Sequence, residues 1–354
     1  MPGYSISSFF YGLATLVLLG YLFSVGDFIL IPFFLAVLIF LFLNKSSKVL
    51  VDFIKQHVWK NMPFWSGFLM VFLVMSAMAY LMINTLIVNI QEIITFVNEG
   101  NLTIPEEKLS FFNKIFDQTK SQLLQWQEKN LDIAGIISKL FSGIMDILNY
   151  IFMVLLYLIF IILEARIIPM KIKSLSRYSR QSSSKILNLL EDVEDTVSTY
   201  LFQKTLISVL TGFLSYIVFV LFGLPFAFIW AFLIFSFNFI PNIGSIIASL
   251  LPFVFSLVIF DGFAASFWML AAVGAIQLII GNFVEPYWMG NSMNLSPLTV
   301  LFALAFWGSI WGIPGMLICV PITVIILMIF ARFPSTRSIA ILMSNQGNID
   351  EKSD

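Results

Sequence analysis

The chain has 354 residues, 59% of them hydrophobic and 11% charged, with a formal net charge of −1. A soluble domain carries about a quarter charged residues, so this composition excludes a water-soluble globular protein and points to an integral membrane protein. No nucleic-acid partner is expected, and the single Cys319 rules out an intrachain disulfide.

In chain order, apolar runs at 9–23 and 28–43 predict an N-terminal transmembrane hairpin over residues 5–43. Residues 1–8 hold no Lys or Arg, which argues for a retained helix over a cleaved signal peptide. The loop at 44–62 carries Lys45, Lys48, Lys55 and Lys60 against Asp52. A third span at 64–88 and a fourth at 144–165 enclose residues 89–143, where Leu123, Leu124, Trp126 and Leu131 recur at helical spacing among charged residues. That pattern predicts an external subdomain of amphipathic helices. Residues 166–204 open with Arg166, Lys171, Lys173, Arg177, Arg180 and Lys185 and no acid. Val193, Val197, Tyr200 and Leu201 then follow a 3.6 period, with Glu191, Asp192, Glu194 and Asp195 between them. This reads as a cytoplasmic amphipathic helix whose acids form a solvated face. The excess of Lys and Arg in the two short loops places them, and both termini, in the cytoplasm.

Residues 205–332 form the core and 333–354 a cytoplasmic tail, polar and disordered from Ser344 on. Within the core, two segments share one plan: a proline opens an apolar arm, a Gly/Pro break interrupts it, and a second arm carries another proline. The first, 225–260, breaks at Phe239-Ile-Pro-Asn-Ile-Gly244; the second, 297–330, breaks at Gly312-Ile-Pro-Gly315. Interrupted helices at membrane depth leave backbone groups that only protein or a water-filled cavity can satisfy, and a pair of them points to a transporter's binding site. The arm at 226–240 reaches about 22 Å at ~1.5 Å per residue, short of a ~30 Å hydrocarbon core, so re-entry is expected. The parity of spans gives the two segments opposite entry sides. The fold class is therefore an all-α polytopic membrane protein of about eight transmembrane segments, two of them broken hairpins.

At the first break, Asn238 and Asn242 supply amides, Pro241 leaves a carbonyl without its helical partner, and Gly244 permits left-handed backbone. With Gln277 they compose a candidate solute site, although a tight turn between packed helices explains the same residues. Glu285 is the only acid in 262–349. It is the candidate coupling residue, because an ionisable group near membrane depth is functional by default; a solvated loop glutamate is the plain alternative. Gly312, Pro314 and Gly315 are candidate hinges or gates, and small-residue helix packing explains them as well. No phosphate-binding loop, His-Glu-x2-His motif or pair of intramembrane aspartates is present, and His57 is the only histidine. No catalytic residue, metal or cofactor is expected.

These motifs, together with Glu285-Pro286, Met289-Gly290, Leu295-Ser-Pro297, Trp307-Gly308 and Pro321, resemble the autoinducer-2 exporter-like family over about residues 5 to 332. The family usually shows an aromatic residue where Asn242 stands, Gly-Gln where Phe202-Gln203 stands and His-Pro where Ser296-Pro297 stands. The resemblance implies a permease of the cell membrane. The expected activity is export of a small polar solute, autoinducer-2-like molecules among the candidates, by alternating access driven by a proton or sodium gradient. A monovalent cation/proton antiporter and a non-transporting scaffold are the competing readings. The bilayer, the solute and the coupling ion are the expected partners, and a homo-oligomer is expected.

Overall fold

The computed structural model describes residues 6–57, 60–98, 150–175, 183–290 and 293–347. The predicted external subdomain at 89–143 lies outside the described residues beyond Asn98. Among the described residues the only non-helical pairing is an isolated bridge between Leu295 and Ser344. The helices are α1 (Ile6–Val25), α2 (Asp27–His57), α3 (Phe64–Asn98), α4 (Tyr150–Ala165), α5 (Ile168–Leu175), α6 (Ser183–Leu221), α7 (Ala227–Phe237), α8 (Ile243–Ile259), α9 (Phe263–Ile279), α10 (Glu285–Met289), α11 (Pro297–Arg332) and α12 (Arg337–Met343). A π-helical turn, Ile280–Val284, joins α9 to α10.

Five of these stretches are long and apolar enough to cross a membrane, and the α4–α5 pair, bent by 55°, makes a sixth; α7 and α8 are shorter apolar helices. A span needs about 20 apolar residues, and α7 with 11 residues falls short. The chain is a multi-pass, all-α membrane protein.

The spine is α6, a single helix of 39 residues. The predicted amphipathic helix and the following span are one element here, because no Gly or Pro falls between residues 183 and 211, where the two would have to part. Its buried Val197, Tyr200, Leu201 and Ile207 join Leu38 and Leu41 of α2 and Ile318 to Val324 of α11 in one core. Further along, Phe219 packs with Ala231 and Ile234 of α7, Ala248 of α8 and Met269 and Val273 of α9 in a second core. A third core, around Ala36, Leu43 and Leu158, binds α2 to α3 and α4.

The acids of α6 are not a free solvated face. Glu194 accepts from Asn44 at 2.5 Å and pairs with Lys48 at 3.2 Å, Asp195 pairs with Lys45 at 3.3 Å, and Asp192 takes Arg332 at the end of α11 at 2.5 Å. These contacts fasten α2 and α11 to one end of the spine. Glu164, near the end of α4, pairs with Lys171 of α5. The start of the tail is ordered rather than loose: Ser296 and Asn345 donate backbone N–H groups to Met343 and Asn294, and Thr299 Oγ1 donates to the Met343 carbonyl. So α12 is clamped against the start of α11.

Candidate functional site

Both breaks are reversals built on the same contact. In the first, Ile243 N–H bonds to the Pro241 carbonyl at 2.6 Å, two residues back, and Asn242 between them has φ 60° and ψ −50°. This is the rare positive-φ form of the γ-turn, a strained conformation for a residue with a side chain. Gly244 follows, and a Cβ there would stand 1.8 Å from the Phe237 carbonyl oxygen and 2.9 Å from Ile240 Cβ. In the second, Gly312 has φ 60° and ψ −139°, a backbone region that only glycine occupies readily. A Cβ on Gly315 would stand 2.0 Å from the Trp307 carbonyl oxygen and 2.9 Å from Trp311 Cβ. Residues eight apart in a straight helix are separated by about 12 Å, so the arm after Gly312 folds back on the arm before it. Each break therefore seats a glycine of the second arm on an aromatic residue's carbonyl in the first.

The second tip is wrapped by aromatics: Trp311 Nε1 donates to the Phe23 carbonyl at 2.9 Å, and the Trp311 ring lies 5.0 Å from that of Trp307 and 5.6 Å from that of Phe34. At the first tip, Asn238 Nδ2 donates to Ser208 Oγ on the spine at 3.0 Å.

At the first tip opens a cavity of about 980 Å³, walled by α6, the break, α8, α9 with its π-turn and α10, and touched by Val300 and Val320 of α11. Asn238, Pro241, Asn242, Gln277 and Glu285 all line it. Gly244 stands behind the turn, shaping it from within, and Gly312, Pro314 and Gly315 are away from the cavity.

The lining is polar along two strips. On α8, Ser245 Oγ donates to the Asn242 carbonyl at 3.2 Å, Ser249 Oγ donates to the Ser245 carbonyl at 2.8 Å, and Gln277 Nε2 reaches Ser249 Oγ at 2.7 Å. Asn242 occupies the N-cap position of α8 without making a capping bond, which leaves its amide turned to the cavity rather than to the helix end. On the facing wall, Lys204 Nζ meets Glu285 Oε1 at 2.5 Å, with the Lys204 side chain 7% and the Glu285 side chain 28% exposed. Tyr200, one turn before Lys204, is buried beside them. Gln203 Nε2 donates to the Trp288 carbonyl at 2.9 Å and ties α10 to α6 next to the ion pair.

The π-turn matters here. One extra residue in the helical ladder turns the stretch from Ile280 to Glu285 toward the cavity, and such bulges are frequent at functional sites. Gly274 and Gly281 line the cavity with open space where a side chain would be. Sequence reasoning passed over Lys204, Tyr200, Ser208 and Ser249. Lys204 had a usable signal, being the one basic residue between Lys185 and Arg332, on the helix that enters the membrane.

Five or six apolar spans, with a cavity at an interrupted hairpin that carries polar strips on a largely apolar wall, fit a multi-pass membrane protein of the transporter class. The chain belongs to the AI-2E transporter family: the model described as AI-2E family transporter matches residues 13–335. It is similar to the AI-2 transport protein TqsA of Escherichia coli (strain K12), 28% identical over 345 residues that cover 94% of each chain. A provisionally named transport protein of Haemophilus influenzae is 27% identical over 331 residues, 90% of each chain. Another, from Borreliella burgdorferi, is 32% identical over 227 residues, 62% of each chain.

Proposed function

We propose that this membrane transporter is a secondary permease that exports a small polar solute through the cavity at the first break, by alternating access. The observation that carries the reading is the convergence of Asn238, Asn242, Gln277 and Glu285, from two separate stretches of chain, on one cavity in an apolar bundle. Amides and hydroxyls suit a hydroxylated solute, and the name of the TqsA relative keeps an autoinducer-2-like molecule among the candidate cargoes. Glu285, held by Lys204 and open to the cavity, is the coupling residue in this reading, with a proton or sodium ion as the coupling ion. Gly312, Pro314 and Gly315 act as the hinge of the second hairpin in this reading. The basic loops support a cell-membrane protein with both termini in the cytoplasm.

Gradient-driven flux in proteoliposomes tests the proposal. Asn242→Leu should lower flux by about tenfold, the equivalent of ~1.4 kcal/mol for one lost hydrogen bond to the solute. Glu285→Gln should remove the gradient-driven flux. Wild-type flux that ignores collapse of both the proton and sodium gradients contradicts the coupling, and full flux through Asn242→Leu contradicts the site.

A further inference from the structure

Lys204 and Glu285 are the only Lys, Arg, Asp or Glu among the residues lining the cavity, and they are paired with each other. Any solute that uses one of them must break that pair. A lone carboxylate drawn to Lys204 would leave Glu285 partly buried without a counter-charge, and a lone ammonium drawn to Glu285 would strand Lys204, which is almost wholly enclosed. Stripping one partner from an enclosed ion pair is strongly unfavourable, whereas exchanging one compensated arrangement for another is close to even.

Resting on the reading of this cavity as the solute path, we propose that the transported solute is a small zwitterion, its carboxylate taken by Lys204 and its ammonium by Glu285. A solute with both charges replaces the internal pair by two external ones, and no charge is uncompensated at any stage. The rest of the lining fits such a molecule. The space beside Gly274 and Gly281 is open, and Asn242, Ser245 and Gln277 offer neutral polar contacts for the remainder of the solute. A purely structural role for the pair is weakened by the Gln203–Trp288 bond, which fastens α10 to α6 one residue away.

Four solutes of similar size separate the possibilities: L-alanine, lactate, isopropylamine and erythritol, each radiolabelled and assayed by counterflow with the full chain in proteoliposomes. Alanine should exceed lactate and isopropylamine by at least about tenfold, or ~1.4 kcal/mol. Lys204→Met and Glu285→Gln should each abolish alanine counterflow. The double variant Lys204→Met/Glu285→Gln, which leaves no charge stranded, should recover the thermal stability of the native protein without recovering alanine counterflow. A structural ion pair would instead restore both. Erythritol counterflow without alanine counterflow overturns the zwitterion and leaves the solute path standing, as does lactate or isopropylamine moving as fast as alanine. No counterflow of any of the four overturns the zwitterion and the solute path together.

Discussion

At the scale of single residues, the breaks are defined by what glycine lacks. Gly244→Ala would drive a Cβ to 1.8 Å from the Phe237 carbonyl oxygen, and backbone on both sides must move. A loss of about 1–3 kcal/mol is expected, as for other overpacked sites. Gly312→Ala meets no atom within 4 Å but must hold φ 60° and ψ −139°, which costs about 1–3 kcal/mol in backbone strain alone. Thermal melting in detergent should therefore destabilise both, while Gly281→Ala, a helical position facing open space, should melt like the native protein. A native-like melt for Gly244→Ala would contradict the close seat of α8 on α7. The residues of the first break were legible in the sequence because Pro and Gly in an apolar run admit few conformations. Gly244 was read for its backbone freedom, yet its position requires glycine for close approach. Lys204 was legible as an isolated charge but not as part of the candidate site, because a lysine at the mouth of a span reads as an anchor until its partner, 81 positions away, is known.

At the scale of elements, sequence periodicity found the helices and misjudged where they join. The amphipathic helix within 166–204 and the core from 205 on read as two pieces because polarity changes between them, but polarity does not end a helix and nothing in Phe202-Gln203-Lys204 does either. The acids on that helix read as solvated because sequence shows spacing on one helix and not the facing lysines of α2. The tail was misread at Ser344 to Gly347 for the same reason: the Asn345 N–H donates to the carbonyl of Asn294, distant in sequence. That clamp carries its own prediction. Deleting 337–354 should speed amide hydrogen exchange over 294–300 and leave Asn238 to Gly244 protected as before, since those amides bond within the first break. Equal acceleration in both regions would mean that the clamp supports the whole core rather than the base of α11.

At the scale of the molecule, one long helix carries the design. The spine α6 presents Lys204 to the cavity, Ser208 to Asn238 of the first break, Tyr200 and Val197 to the core shared with α2 and α11, and Asp192 to Asp195 to the basic residues at its end. The first hairpin and α9 pack along its apolar half, so the polar groups of the break are held against the spine with the ion pair opposite. Composition alone made the membrane class legible, and two repeated breaks made the site's region legible. The ion pair and the enclosed volume needed the three-dimensional arrangement, because each joins residues that no local pattern connects.

The central claim is that the cavity at the first break is an alternately accessible path. It is tested most directly by Asn242→Cys in a Cys319→Ser background, labelled with a membrane-impermeant maleimide from each side of oriented vesicles. Reaction from either side, with the balance shifted by an imposed proton or sodium gradient, is the predicted result. Reaction from one side only, unchanged under every gradient, would contradict the account.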